Sequence, residues 1–314
     1  MINPLAGFLE EQGYLVLDGG LATELEARGY DLNDALWSAR VLAEEPEAIR
    51  QVHLDYLRAG ADVIITASYQ ATIPGFMARG MAEAEAVALL QRSVALARSA
   101  RDEFWAVAEN RAGRLRPLVA ASVGPYGAFL ADGSEYTGAY GLTEAELVAF
   151  HRRRWHILAE SGPDLLACET IPSATEAWAL VRLLPETPEL AAWFSFTGRN
   201  ETEISDGTPF AAVVRELDPV AQVAALGINC TPPRFVPALV AAARQETDKP
   251  LVAYPNSGET YDAERKIWLG LSVPDDFAVQ SGQWRSAGAD LIGGCCRTGP
   301  AHIREVRKGM GSGD

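Results

Sequence analysis

Short runs of β-branched, aromatic and aliphatic residues recur along the chain, and each is followed by a stretch with apolar positions at helical spacing. The runs are Tyr14 to Asp18, Asp62 to Thr66, Pro117 to Val123, Asp164 to Cys168, Ala191 to Thr197, Ala225 to Cys230, Pro250 to Pro255 and Ala289 to Gly294. Their length and composition read as strands, and strand-helix alternation is the pattern of βα units around a parallel sheet. Eight such runs predict an α/β fold: a single closed (β/α)8 barrel of the TIM type.

Helices are expected at Pro46 to Ala59, Ala82 to Asn110, Thr143 to Ser161 and Arg234 to Gln245. Thr143 with Glu146 three positions later is a capping box, and Thr175 precedes a further amphipathic stretch. Gly60, Gly162 and Gly288 each stand between a helical stretch and the next strand, where a helix commonly ends on glycine. No low-complexity linker divides the chain, so residues 1–314 are expected to form one barrel domain with a flexible tail at 309–314. A doubly wound open sheet is the structural rival. It normally carries a glycine-rich phosphate loop after its first strand, whereas Asp18-Gly19-Gly20-Leu21-Ala22-Thr23 is not GxGxxG and no Walker loop occurs.

Composition narrows the partners. The chain has 314 residues, 48% of them hydrophobic, enough for a sizeable core. Its net charge of -15 and its three lysines, Lys249, Lys266 and Lys308, argue against a nucleic-acid or anionic-membrane surface, which needs clustered positive charge. A cationic or zwitterionic small molecule suits it better. The amino terminus lacks the basic flank and apolar run of a signal peptide, and no later segment approaches a membrane span. The protein is therefore expected in the reducing cytoplasm. There, four cysteines, two of them adjacent, point to metal binding or catalysis rather than to disulfides.

Barrel enzymes place their chemistry at the carboxyl ends of the strands. Cys230 ends the sixth run, and Cys295 with Cys296 ends the eighth. Three thiolates gathered there would hold a zinc ion, Zn2+, with one position free, the arrangement of a catalytic rather than a closed structural site. Other strand ends supply Asp18-Gly19-Gly20, Thr66 to Gln70, Ser122 to Gly127, Glu169-Thr170, Asn229 and Tyr254 to Gly258. Cys168 is assigned to core packing, His53, His151, His156 and His302 to surface or packing roles on helices, and Arg152 to Arg154 to a solvated helix face.

The Asp18-Gly19-Gly20 start, Thr66 to Gln70, Ser122 to Gly127 with Leu130 to Tyr136, Glu169-Thr170, Gly227 to Cys230 and Gly293 to Cys296 together resemble the homocysteine S-methyltransferase family, over nearly the whole chain. The resemblance implies a zinc-dependent barrel that methylates L-homocysteine to methionine. The chain stops soon after Cys296, without the extension of the long betaine-using members or the folate and cobalamin modules of the cobalamin-dependent methionine synthases. It is more similar to the short enzymes that use S-methylmethionine, with S-adenosylmethionine as a poorer donor.

The substrate's amino group needs anionic partners, and Asp18 and Glu169 are the natural pair at the strand ends, as the resemblance also implies. Gly19 and Gly20 offer backbone N–H groups to its carboxylate. Asn229 is expected to orient substrate or a neighbouring loop, and Tyr69 to lie beside the metal or in its open position. No acid or base is assigned, since the nucleophile is the metal-activated thiolate of the substrate. The segment Tyr126 to Gly141, with Asp132, Glu135, Tyr136 and Tyr140, suits a sulfonium cation and a lid role, and Trp37 and Trp268 are further candidates. The rival functions are a thiol methyltransferase with betaine or another donor, a zinc hydrolase, and a non-enzymatic zinc-binding barrel.

Overall fold

A computed structural model describes residues 3–32, 37–262, 267–269 and 273–311, with the side chains of 37–39, 260–262 and 267–269 left aside. Ten strands are present among the described residues: β1 (Leu15–Val16), β2 (Val63–Ile65), β3 (Leu118–Val123), β4 (Leu165–Ile171), β5 (Ala192–Phe196), β6 (Val223–Asn229), β7 (Leu251–Tyr254), β8 (Thr260–Asp262), β9 (Ile267–Leu269) and β10 (Leu291–Ile292). Eight of them form one parallel sheet in the order β1-β10-β7-β6-β5-β4-β3-β2. A parallel bridge between Leu17 and Val63 joins the two ends, with the Asp18 N–H donating to the Val63 carbonyl at 3.1 Å. The expected barrel is thus present. Each of the eight runs read from the sequence coincides with one barrel strand, although β4 continues to Ile171, past the expected Cys168, and β6 starts at Val223, before the expected Ala225, while β8 and β9 pair antiparallel between β7 and β10.

Strand alternation decides what enters the barrel. Leu15, Leu17, Val63, Ala120, Leu165, Ala167, Trp193, Ala225, Val252, Tyr254 and Leu291 pack together inside it. Their alternate neighbours Val16, Ile64, Val119, Ala121, Leu166, Cys168, Phe194, Leu226, Ala253 and Ile292 pack outward against the helices. Cys168 is therefore core, as its sequence context suggests. The same period of two turns Glu169 inward, in phase with Leu165 and Ala167. Small residues at Ala120, Ala167 and Ala225 leave room for Trp193 and Tyr254, both fully buried. Leu5 and Phe8, at the helix Ala6–Gln12, join the inner cluster beside Leu15 and Leu17.

The helices follow their local signals. Pro46–Ala59 is helical, with Gly60 left-handed at φ 115° at its end. Gly162 and Gly288 have φ of 76° and 117° in the corresponding positions. Thr143 and Glu146 form the expected capping box at the head of Glu144–Glu160. The helix near Thr175 starts earlier. Ser173 caps it, its Oγ accepting from the Glu176 N–H at 3.3 Å, so Thr175 lies within the first turn of Ala174–Val181. The tail expected from Gly309 is, as far as Gly311, the last turn of Pro300–Gly311, where Met310 is buried; residues 312–314 lie outside the described residues. Arg152 and Arg153 are exposed as expected, but Arg154 is buried. No helix among the described residues is long and apolar enough to cross a membrane.

Candidate metal and substrate site

The carboxyl ends of the strands surround a cavity of about 260 Å³. β6 delivers Cys230 to its edge, and the turn after β10 delivers Cys295 and Cys296. The three Sγ atoms lie within 4.8 Å of one another, the one such metal-capable group among the described residues. Cys230 Sγ is 2.7 Å from Cys295 Sγ and 3.7 Å from Cys296 Sγ. A tetrahedral zinc with Zn–S bonds of about 2.3 Å sets its sulfurs about 3.8 Å apart. One pair already has that spacing, and the other must open by roughly 1 Å. The thiols are also too close to ionise together without a cation. Cys296 is held well below the usual thiol range because the other two thiols hydrogen-bond to it, while Cys295 is pushed up by those same contacts. Such a set fits a soft divalent metal.

The backbone under these thiols is pinned. The Cys295 N–H donates to the Pro255 carbonyl at 2.8 Å, the Ser257 N–H to the Cys296 carbonyl at 3.1 Å, and the Cys230 N–H to the Tyr254 carbonyl at 3.3 Å. Three residues at these strand ends have left-handed φ without being glycine: Thr170 at 61°, Cys230 at 49° and Arg297 at 66°. For non-glycine residues such conformations cost of order 1–3 kcal/mol and persist only when their surroundings fix them. Thr170 is fixed by Asn229, whose Oδ1 accepts from the Thr170 N–H and whose Nδ2 donates to Thr170 Oγ1, both at 2.7 Å. Arg297 is fixed through its N–H, which donates to Thr23 Oγ1 at 2.8 Å.

Asp18 and Glu169 both line the cavity and are almost fully buried. Asp18 Oδ2 accepts from the Ile65 N–H at 2.8 Å. Glu169 accepts from Ser122 Oγ, and from Tyr254 Oη at 3.0 Å. Tyr254 Oη is itself 2.6 Å from Ser195 Oγ and accepts from Trp193 Nε1 at 3.2 Å. Burial pushes the Glu169 carboxyl up to about 7, despite its two hydrogen bonds. Burial also holds Asp18 well above the usual carboxylate range, and the charge of Glu169 adds to it. Among the described residues the lining holds Asp18, Glu135, Glu169 and the three cysteines, and no lysine, arginine or histidine. The cavity is built to receive positive charge.

Other expected positions divide. Gly19, Gly20 and Tyr69 line the cavity. The Gly20 N–H, however, already donates to the Thr298 carbonyl at 3.0 Å, and Tyr56 Oη lies 3.0 Å from both the Gly20 and Thr298 carbonyls, so Gly20 shapes the turn rather than offering a donor. Asn229 does not line the cavity and acts on its neighbour Thr170. Of the four residues expected beside a donor, Glu135 and Tyr136 reach the cavity. Tyr136 is half exposed and donates to Cys230 Sγ at 3.9 Å, so it, rather than Tyr69, bonds a thiol of the cluster. Asp132 is exposed and caps its own turn, accepting from the Ser134 N–H at 2.9 Å. Tyr140 packs its ring 5.3 Å from that of Tyr126, away from the cavity. The side chains of Trp37 and Trp268 lie outside those described. The four histidines lie on helices as expected.

Ser122, Tyr254 and Thr298 were given no role by the sequence. For the first two a signal existed, since they share the inward phase of Ala120 on β3 and Val252 on β7. Thr298 carries none, because it follows the last strand in a loop.

The family model for homocysteine S-methyltransferase matches residues 15–310. A homocysteine S-methyltransferase of Bacillus subtilis is 54% identical over 305 residues, 97% of each chain. That of Escherichia coli is 54% identical over 307 residues, 97% of this chain and 98% of the other. The crystal structure of the Escherichia coli homocysteine methyltransferase MmuM in its metallated form has a TM-score of 0.88 and 51% identity over 97% of this chain and 99% of that one. With likeness running from its first barrel strand past its last, in sequence and in fold, this chain belongs to the homocysteine S-methyltransferase family, as an enzyme that methylates the sulfur of homocysteine.

Proposed function

We propose that the methyl donor is a sulfonium, S-methylmethionine in preference to S-adenosylmethionine, that the metal is zinc held by Cys230, Cys295 and Cys296, and that the product is methionine, made in the cytoplasm by one barrel unit spanning 1–314. The observation that carries this reading is the juxtaposition of three clustered thiols with a cavity whose ionisable lining is wholly acidic. Zinc with three thiolate ligands and one open position supplies a Lewis acid that lowers the pKa of a thiol reaching it.

The chain's own residues do the rest. Asp18 and Glu169 hold the homocysteine ammonium, and binding of that cation draws Glu169 into its carboxylate form. Ser122 and Tyr254 keep the carboxylate aimed, since each donates to one of its oxygens. With no cationic side chain in the lining, the substrate carboxylate falls to the backbone N–H of Gly19. Glu135 and Tyr136 form the opposing wall. A buried Glu135 oxygen has no partner among the described residues, and Tyr136 presents a ring beside the thiols. A carboxylate and an aromatic face together suit a sulfonium. S-methylmethionine carries a net positive charge and betaine none, so the acidic lining favours the sulfonium. As methyl passes in line between two sulfurs, the donor loses its charge, and the site's role is to hold both partners in that line.

Methionine formation from S-methylmethionine, S-adenosylmethionine and betaine at equal concentration tests the donor. S-methylmethionine is expected to be fastest. A strong preference for betaine would overturn the donor assignment while leaving the acceptor site intact.

A further inference from the structure

Beneath the segment 126–141 lies a charged network that takes no part in the chemistry above. Arg154 and His151, on the helix Glu144–Glu160, and Glu176, on the helix Ala174–Val181, are all buried. Arg154 Nη2 is 2.8 Å from His151 Nδ1, and His151 Nε2 is 2.8 Å from Glu176 Oε1. Arginine can only donate, so Nδ1 accepts and the proton sits on Nε2, which donates to Glu176. The imidazole is neutral between an arginine and a carboxylate.

Both charged ends grip the same turn. Arg154 donates to the Gly124 carbonyl, and Glu176 Oε1 accepts from the Tyr126 N–H at 2.6 Å. The backbone on each side of Pro125, where β3 leads into the segment, is therefore held by the network. What the turn touches is the cavity wall. A Cβ on Gly124 would lie 2.4 Å from the Tyr69 carbonyl oxygen and 2.7 Å from its ring, and one on Gly127 would lie 2.3 Å from the Glu135 nitrogen. At such distances there is no slack between the turn and the residues that face the thiols.

We infer that Glu176, His151 and Arg154 are positioning residues: by fixing Gly124 and Tyr126 they set the places of Glu135 and Tyr136, and so the line along which the donor approaches. The inference rests on the reading of Glu135 and Tyr136 as the donor wall. Buried, mutually bonded and absent from the cavity lining, the network holds the turn by its backbone at Gly124 and Tyr126. A misplacement of about 1 Å at a reacting centre is enough to cost about 100-fold in rate.

The test is steady-state kinetics with S-methylmethionine and homocysteine varied separately, together with bound zinc per chain, for Glu176→Ala, Glu176→Gln, Gly127→Ala, Glu135→Gln and Tyr136→Phe. Glu176→Ala is expected to raise the donor KM and lower kcat, together costing about 10- to 100-fold in kcat/KM for the donor, with homocysteine KM and zinc content unchanged. Glu176→Gln keeps an oxygen for the Tyr126 N–H and recovers most of that loss. Gly127→Ala leaves the network intact and pushes directly on Glu135, so it reproduces the donor-selective defect even where Glu176→Ala fails to fold. Equal losses for donor, homocysteine and zinc would overturn the inference, as would an unchanged donor KM in Gly127→Ala. If Glu135→Gln and Tyr136→Phe leave the donor KM unchanged, the donor-wall reading fails first and takes the inference with it. If they raise it and the Glu176 variants do not, the inference alone fails.

Discussion

The two sides of the cavity are built differently. The side holding the thiols, Asp18 and Glu169 comes from strand ends and the turns directly after them, with contributions from β1, β4, β6 and β10, and each ligand's backbone is bonded to a neighbouring strand or turn. Another part of the lining, Glu135 and Tyr136, comes from one connection, residues 126–141. Groups that must meet a metal and a small amino acid within tenths of an ångström sit on the barrel. On the proposed reading the groups that meet the donor, Glu135 and Tyr136, sit on a loop whose entry turn is held by the buried Glu176, His151 and Arg154. In a barrel the loop can change without disturbing the strand ends, so on that reading acceptor chemistry and donor choice are separable.

The largest effects should fall on the strand side. Cys230→Ala or Cys295→Ala is expected to abolish both zinc binding and methyl transfer, with zinc per chain measured by elemental analysis. Retention of metal and activity would remove the cluster from the site. Glu169→Gln should come next. It keeps one acceptor oxygen, for Ser122 or for Tyr254, and loses the charge facing the ammonium, so homocysteine KM should rise by about 10- to 100-fold, the cost of about 1.5–3 kcal/mol for a charged hydrogen bond. Zinc content should stay unchanged, and a parallel loss of zinc would show that Glu169 supports the metal instead.

A smaller effect is the pH dependence of methionine binding, which avoids thiol ionisation. With Glu169 at about 7 in the free enzyme, an ammonium ligand must displace a proton below that pH. Methionine affinity should therefore fall by up to about tenfold per pH unit below 7, level off above it, and be accompanied by proton release in calorimetry at pH 6. The sign for stability is opposite. A folded pKa raised from the ordinary 4.5 to about 7 contributes stability that is fully present below about pH 4.5 and is lost as pH rises through 7. Flat affinity between pH 5.5 and 8 would contradict the assignment of the ammonium to this carboxylate.

The smallest expected change is in Asn229→Ala. It leaves the left-handed Thr170 without either of its bonds, costing about 1–3 kcal/mol of stability, read as a lower urea midpoint. Homocysteine KM should rise only through the neighbouring Glu169. An unchanged midpoint would mean that the Thr170 conformation does not depend on Asn229.

The strand side was also the more legible in sequence. Apolar runs ending in Asp18, Glu169, Cys230 and the Cys295-Cys296 pair already place those residues on one rim, because the barrel fixes where strand ends go. Asn229 was noticed for its neighbour Cys230, yet what it does depends on the strained Thr170, fifty-nine positions away in sequence, which no local pattern shows. On the loop side, Asp132, Glu135, Tyr136 and Tyr140 look alike as acidic and aromatic residues, and only folding separates the two that face the cavity from the two that do not. Arg154 reads as part of an exposed arginine run because a helical period says which face a residue is on, not that the Gly124 carbonyl at the end of β3 and the ring of His151 await it.

Zinc K-edge X-ray absorption before and after homocysteine addition tests most directly whether substrate sulfur completes the Cys230, Cys295 and Cys296 set. Three sulfur neighbours should become four on titration with one equivalent. An unchanged three-sulfur edge at saturating homocysteine would contradict the proposed site.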